Sequence, residues 1–176
     1  MMRQPAIPSA HRRAFTLVDT LMTVAVLAII AGLALATMSP TERTRVVSAA
    51  ALFASDVEHA RMISLTTPAN PGVVRSAADG ASYWVARTDT TETEIPAAGG
   101  RKFRVVFGEA PATGMTGVKI ALTAGGAVAA GGGGIVQFDG FGRIRGPATD
   151  ALFELSLGGV KAKVKILSDT GDVSIE

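Results

Sequence analysis

Apolar and polar residues follow two different periods along this chain, and the change of period divides it into two parts. The first part contains a long apolar run, because no charged residue occurs in the 22 positions between Asp19 and Glu42. As a helix rising 1.5 Å per residue, such a run spans roughly 33 Å, about the thickness of a bilayer's hydrocarbon core. The run therefore predicts a transmembrane helix over about residues 20–41.

The helical period continues beyond the apolar run and becomes amphipathic. Five apolar residues recur at helical spacing and share one face: Val46, Ala50, Phe53, Val57 and Ala60. Pro68 ends the pattern, since the residue before a proline avoids the helical region. The sequence predicts one long helix over residues 15–66, and Pro40 is expected to kink or locally open it.

From residue 67 onward the pattern changes to short β-type runs separated by Gly and Pro. Residues 151–157 and 160–167 alternate with period two, and Gly158-Gly159 between them reads as a hairpin turn. The other predicted strands are 82–87, 103–107, 118–122, 134–138 and 173–175. One helix followed by strands predicts an α+β fold, in which the helix lies on an antiparallel β-sheet head over residues 67–176.

Charge and cysteine usage narrow the possible functions. Three of the 17 basic residues, Arg3, Arg12 and Arg13, precede Phe15 together with His11, so the positive-inside rule keeps the N-terminus in the cytoplasm. A chain beginning at Phe15 would carry 14 basic against 15 acidic residues, which argues against nucleic acid as a partner. The absence of cysteine excludes disulfides and thiolate chemistry.

Three interpretations of the N-terminus remain open at this point. A secretory signal is supported by the basic start and by Ala34-Leu35-Ala36, which would release a secreted binding protein beginning at Thr37. An uncleaved anchor explains the length of the apolar run, which exceeds a usual signal core. In the third interpretation, cleavage falls before the run and leaves it on the mature protein.

The residues from Ala14 to Leu21, Ala-Phe-Thr-Leu-Val-Asp-Thr-Leu, resemble the prepilin motif of type IV pilins and type II secretion pseudopilins. The family usually has Gly where this chain has Ala14, and Glu where it has Asp19. The resemblance implies that an inner-membrane prepilin peptidase removes a leader of residues 1–14 by cutting between Ala14 and Phe15. It also implies N-methylation of Phe15 and a pilin-like fold.

Asp19 is the one charge at the start of the apolar run. A carboxylate near hydrocarbon is costly unless it is paired, which indicates a function for it. The resemblance implies that it contacts the new N-terminal amine of a neighbouring subunit during assembly. Alternatively, Asp19 lies at the lipid headgroups, where the dipole at the helix start favours an acid.

Three further stretches resemble the pseudopilin H family: 53–61 with its acid-x-x-x-Ala-Arg pattern, 135–143, and 163–173. This resemblance implies two small β-sheets in the head. It implies a minor pseudopilin, in the inner membrane with its head in the periplasm. Its partners would be other pseudopilins in the tip complex of a filament that drives protein export across the outer membrane. A minor type IV pilin for adhesion, motility or DNA uptake is the alternative.

Other candidate sites are weak, and the sequence predicts no enzyme activity, no catalytic residues, no metal and no cofactor. Gly131–Gly134 leads into a predicted strand, whereas a phosphate cradle opens a helix. His59 lacks the partners of a catalytic triad. Four aspartates, Asp139, Asp150, Asp169 and Asp172, lack EF-hand spacing and suit turns.

Arg143 and Arg145 form a Gly-Arg-Ile-Arg sequence at positions 142–145. Minor pilins of DNA uptake can carry a similar motif, although there it lies near the C-terminus. With Lys161, Lys163 and Lys165 nearby in sequence, the two arginines are a candidate for a weak nucleic-acid patch. The simpler interpretation is a solvated loop and a charged strand face.

Overall fold

The computed structural model describes residues 17–38, 41–88, 103–129, 132–146 and 148–176. The chain divides after Ser39 into two compact units, an N-terminal unit and a head unit of residues 40–176. The proposed leader, with Ala14 and Phe15, lies outside the described residues.

Helix α1, Leu17–Met38, is the described part of the N-terminal unit. Asp19 is in its first turn, and the hydroxyl of Thr23 donates a hydrogen bond to the Asp19 carbonyl oxygen. The large apolar side chains between residues 17 and 29 are exposed. Within the described residues, none of the helices meets the length and apolarity that crossing a membrane requires.

Helix α2, Glu42–Thr66, begins the head unit. The side chain of Thr41 caps its first turn by accepting the N–H of Thr44 at 3.4 Å. The predicted helix over residues 15–66 is described as two helices, α1 and α2, and the residues between them, Ser39 and Pro40, lie outside the described residues. A kink or local opening was predicted at Pro40, because proline cannot donate the backbone hydrogen bond that an uninterrupted helix needs.

The end and the apolar face of α2 were both predicted correctly. The helix ends at Thr66, and the N–H of Thr67 donates to the carbonyl oxygen of Ile63 at 2.8 Å. All five residues of the predicted stripe are fully buried, and Ala49 and Ser64 lie on the same buried face.

The first sheet has five antiparallel strands in the order β3-β2-β1-β6-β5. Its strands are β1 Gly72–Ser76, β2 Ser82–Arg87, β3 Arg104–Val106, β5 Ala127–Val128 and β6 Gly134–Gln137. Three of these fall within strands predicted from the sequence. Two strands were not predicted from the sequence: β1, the central strand, and β5, an edge strand of two residues.

The second sheet has four antiparallel strands in the order β4-β7-β8-β9. They are β4 Lys119–Ala124, β7 Ala151–Leu157, β8 Val160–Ile166 and β9 Val173–Ile175. The predicted hairpin between β7 and β8 is confirmed: Leu157 pairs with Val160, and Gly158 has a φ of 60°, which a two-residue turn requires.

The core of the head lies where α2 meets both sheets. Phe53 of α2 packs edge-to-face on Tyr83 of the first sheet, with ring centroids 4.9 Å apart. It packs in the same way on Phe153 of the second sheet, at 4.8 Å. One helix thus joins two antiparallel sheets through aromatic contacts. The predicted α+β head is confirmed, and so are the two sheets that the resemblance implied.

Candidate functional site

Asp19 is the only proposed assembly residue within the described part of the chain. Its position in the first turn of α1 places a negative charge at the positive end of the helix dipole. The residue is exposed in the single chain. This position is compatible with both interpretations, a contact with a neighbouring subunit's amine and a place at the headgroups.

Arg143 and Arg145 are exposed on the loop that follows β6. The loop is closed by a backbone bridge between Phe138 and Ile144, and by hydrogen bonds from the N–H groups of Phe141 and Arg143 to Asp139 Oδ1, at 2.8 and 2.9 Å. Asp139 therefore performs the turn role predicted for it.

The lysines of β8 lie on the exposed face of the second sheet, among carboxylates. Lys161 pairs with Glu154 at 2.8 Å, and Glu154 is also the direct cross-strand neighbour of Lys163. Lys165 pairs with Asp150 at 3.0 Å. Carboxylates therefore lie beside the lysines of the predicted basic strand face, and their negative charge weakens any attraction of this face for a polyanion.

The four candidate aspartates for calcium are dispersed into separate contacts. The backbone N–H of Ser168 donates to Asp150 at 2.9 Å and, with Lys165, lowers the pKa of that carboxyl. Asp172 forms an ion pair with Arg61 at 3.0 Å. Among the described residues, no group of three or more His, Asp or Glu side chains is arranged to hold a metal ion.

His59 and the glycine-rich segment have structural contacts. The imidazole of His59 stacks on Phe103, with ring centroids 5.2 Å apart and planes 11° apart. Gly134 begins strand β6, as predicted, and its N–H donates to the Ser76 hydroxyl at 2.9 Å. The segment therefore leads into a strand and not into a phosphate-binding helix start.

A polar pair between α2 and the first sheet, in which Tyr83 is buried and Asp56 is half-buried, was not predicted from the sequence. The hydroxyl of Tyr83 donates a hydrogen bond of 2.6 Å to Asp56 Oδ2. Burial raises the pKa of Asp56, while the bond from Tyr83 and the nearby His59 act in the opposite direction. Burial and the Asp56 carboxylate both raise the pKa of Tyr83. The only sequence signal was an acid directly beside the apolar stripe of α2.

Arg61 connects the end of α2 to the second sheet. Its guanidinium contacts Glu58 at 3.3 Å, one turn earlier, and Asp172 at 3.0 Å, in the turn before β9. Ala60, next to it, is fully buried. The acid-x-x-x-Ala-Arg pattern at residues 56–61 thus supplies three structural contacts: Asp56 to a strand, Ala60 to the core, and Arg61 to a turn.

Trp84 of the first sheet lies close to two guanidinium groups. The guanidinium carbons of Arg75 and Arg104 lie 5.6 and 5.0 Å from the ring centroid of Trp84. The three residues are direct cross-strand neighbours on β1, β2 and β3. Cation–π attraction across the register stabilises the order of these strands.

These features define an α+β protein whose head is organised around one helix, with contacts that are structural in kind. No protein-family model matches the chain, and a search of curated proteins finds no match either. Among solved structures, the chain is similar to the type IV minor pilin FimU of Pseudomonas aeruginosa. The two share 16% identity and a TM-score of 0.49, over 77% of this chain and 91% of that one.

Proposed function

We propose that this chain is a subunit of a pilin-like filament. The observation that carries the proposal is the N-terminal segment: Ala14 to Asp19 matches the prepilin motif at most positions, and 22 uncharged residues follow at once. The structure supports the proposal with an apolar helix, α1, whose large side chains at residues 17–29 are exposed in the isolated chain. An exposed apolar surface of this kind fits surroundings of lipid or other subunits.

The design of the head fits a mechanical role. Helix α2 contributes seven buried residues and packs on strands of both sheets, so the helix and the two sheets share one core. Within the described residues, the ion pairs, turns, cation–π contacts and hydrogen bonds described above join one structural element to another. We propose a structural subunit and not an enzyme.

Location and processing belong to the same proposal. Residues 20–41 would anchor the chain in the inner membrane, with the N-terminus in the cytoplasm and the head in the periplasm, because basic residues precede the apolar run. A prepilin peptidase would cut between Ala14 and Phe15, and Phe15 would then be methylated. The partners would be other subunits with the same N-terminal motif.

Within this class we propose a minor pseudopilin of a type II secretion machine, at the tip of a periplasmic filament. The support is the resemblance of three stretches to the H family, one of which, residues 56–61, contributes the contacts described above. The second candidate is a minor type IV pilin, because the prepilin motif at residues 14–21 is common to both classes.

Deletion of the chain in the cell that makes it separates the two candidates. A pseudopilin predicts that folded export substrates accumulate in the periplasm, while pilus-dependent motility and DNA uptake stay normal. A minor type IV pilin predicts the reverse pattern. Complementation with the intact chain should restore the lost process, and complementation with Asp19→Ala should not.

A further inference from the structure

The loop after β6 presents a large apolar side chain to solvent from a backbone that is already fixed. Phe141, at its tip, is 76% exposed. The N–H of Asp139 donates to the carbonyl oxygen of Arg143 at 2.8 Å, and the Asp139 carboxylate accepts both N–H groups described above. An exposed aromatic residue on a hydrogen-bonded loop loses little conformational entropy when a partner covers it.

The loop is also packed on the last turns of α2. A Cβ atom on Gly142 would lie 3.3 Å from Leu65 Cδ2, and one on Gly140 would lie 2.9 Å from Pro68 Cβ. Leu65, Pro68 and Phe141 are all exposed, and the close approach of Gly140 and Gly142 brings Leu65 and Pro68 beside the loop that carries Phe141. These three residues are called here the Phe141 patch. Met62 extends it along α2, because it lies three residues before Leu65 and is exposed too.

Two exposed arginines follow Phe141 on the same loop. The guanidinium carbon of Arg143 lies 5.7 Å from the ring centroid of Phe141, and Arg145 is exposed two residues further on. Among the described residues, no carboxylate forms an ion pair with either of them. Aromatic and arginine side chains together are typical of the residues that dominate binding energy in protein interfaces.

We propose that the Phe141 patch is a docking surface for the head of a neighbouring filament subunit, which offers an apolar pocket bordered by carboxylates. The carboxylates of the partner would complement the charges of Arg143 and Arg145. Its apolar pocket would cover the apolar side chains of the patch. The identity of the partner as a subunit rests on the proposed function.

A protein fits this surface better than a nucleic acid does. Gly142 lies against Arg61, whose guanidinium already contacts the carboxylates of Glu58 and Asp172. A strand of phosphates crossing the patch would approach those acids and the Asp139 carboxylate. Affinity for a nucleic acid comes largely from a continuous set of phosphate contacts, which this mixture of charges interrupts.

Site-specific photocrosslinking of the full chain in its own cells tests the proposal. Phe141→p-benzoylphenylalanine should give a discrete adduct, and mass spectrometry should map it to an apolar segment flanked by Asp or Glu in a protein with a prepilin-type N-terminus. Val128→p-benzoylphenylalanine is the matched control, because Val128 is 70% exposed on edge strand β5, outside the patch, and should give no such adduct.

Charge reversal provides a second measurement. Arg143→Glu with Arg145→Glu should lower the yield of the adduct by about tenfold or more, because carboxylates would then face carboxylates. Lys119→Glu, an exposed position on β4, should leave the yield unchanged. Adducts with nucleic acid or lipid, or the same products from positions 141 and 128, would overturn the docking proposal.

The same samples separate this proposal from the proposed function. Methylated Phe15 without an adduct at position 141 would overturn the docking surface alone. A chain that is not processed at Phe15 would overturn the filament function, and with it the identity of the partner.

Discussion

Gly72 lies where strand β1 of the first sheet approaches helix α2 most tightly among the contacts described below. A Cβ atom at this position would lie 2.1 Å from the carbonyl oxygen of Ala60, and the N–H of Gly72 donates to the Ser64 hydroxyl at 2.7 Å. The Ser64 hydroxyl in turn donates to the Ala60 carbonyl at 3.1 Å. Only glycine lets the strand approach the helix this closely.

Gly72→Ala should therefore lower the free energy of unfolding by about 1–3 kcal/mol, since the clash involves backbone atoms that cannot rotate away. Gly114→Ala is the control, because nothing lies within 4 Å of a Cβ atom there. Urea unfolding of the full chain in detergent, followed by the fluorescence of its one tryptophan, Trp84, measures both changes. Equal urea midpoints for the two variants would show that the close contact between Gly72 and Ala60 does not affect stability.

Asp19 carries the second prediction at this scale. If its carboxylate pairs with a neighbour's N-terminal amine, Asp19→Ala should leave cleavage before Phe15 intact and block incorporation into a filament. Asp19→Glu keeps the charge and should assemble normally. Crosslinking of assembled subunits, read beside the mass of the processed chain, measures the two steps separately. Normal incorporation of Asp19→Ala would contradict the pairing role.

At the scale of elements, the bond between Asp56 and Tyr83 fixes α2 on β2. The pKa of Asp56 is raised in the folded chain, so folding disfavours its charged form. The stability contributed by protonated Asp56 is fully present below the ordinary carboxyl pKa and is lost as the pH rises through the raised value. A hydrogen bond from Tyr83 limits that loss, because it stabilises the carboxylate.

Two variants test this pair. Relative to Asp56→Asn, the wild-type chain should lose stability as the pH rises from the ordinary carboxyl pKa to the raised one. Tyr83→Phe should lower the free energy of unfolding by about 1–3 kcal/mol at neutral pH, and by less in acid, because it leaves the half-buried carboxylate of Asp56 without its donor. Urea unfolding across that pH range measures both. Parallel stability curves for the wild type and Asp56→Asn would contradict the account.

At the scale of the whole molecule, sequence patterns predicted the elements that have a regular period. The stripe of α2 and the hairpin from Ala151 to Ile166 were found because each buries one face in register with its period. Strand β1 was missed since it has five residues, of which four are buried, so it shows no alternation. Strand β5 is too short to give any pattern.

Contacts between distant residues could not be predicted in the same way. Asp56 and Tyr83 are 27 positions apart, and their pairing depends on the placement of α2 over β2. The patch at Phe141 depends on a loop meeting the end of a helix more than 70 positions earlier in the chain. The periodicity of a single helix or strand does not indicate which distant residues it will contact, because those contacts depend on how the elements pack together.

The proposed filament function requires that the chain is processed before Phe15 and keeps its apolar segment for assembly. The most direct test is the mass of the mature N-terminus, measured on the chain isolated from membranes of the cell that makes it. If the chain is a filament subunit, we expect it to begin at Phe15 with a methyl group on its amine. A chain that begins at Thr37 would contradict it, because the segment needed for assembly would have been removed.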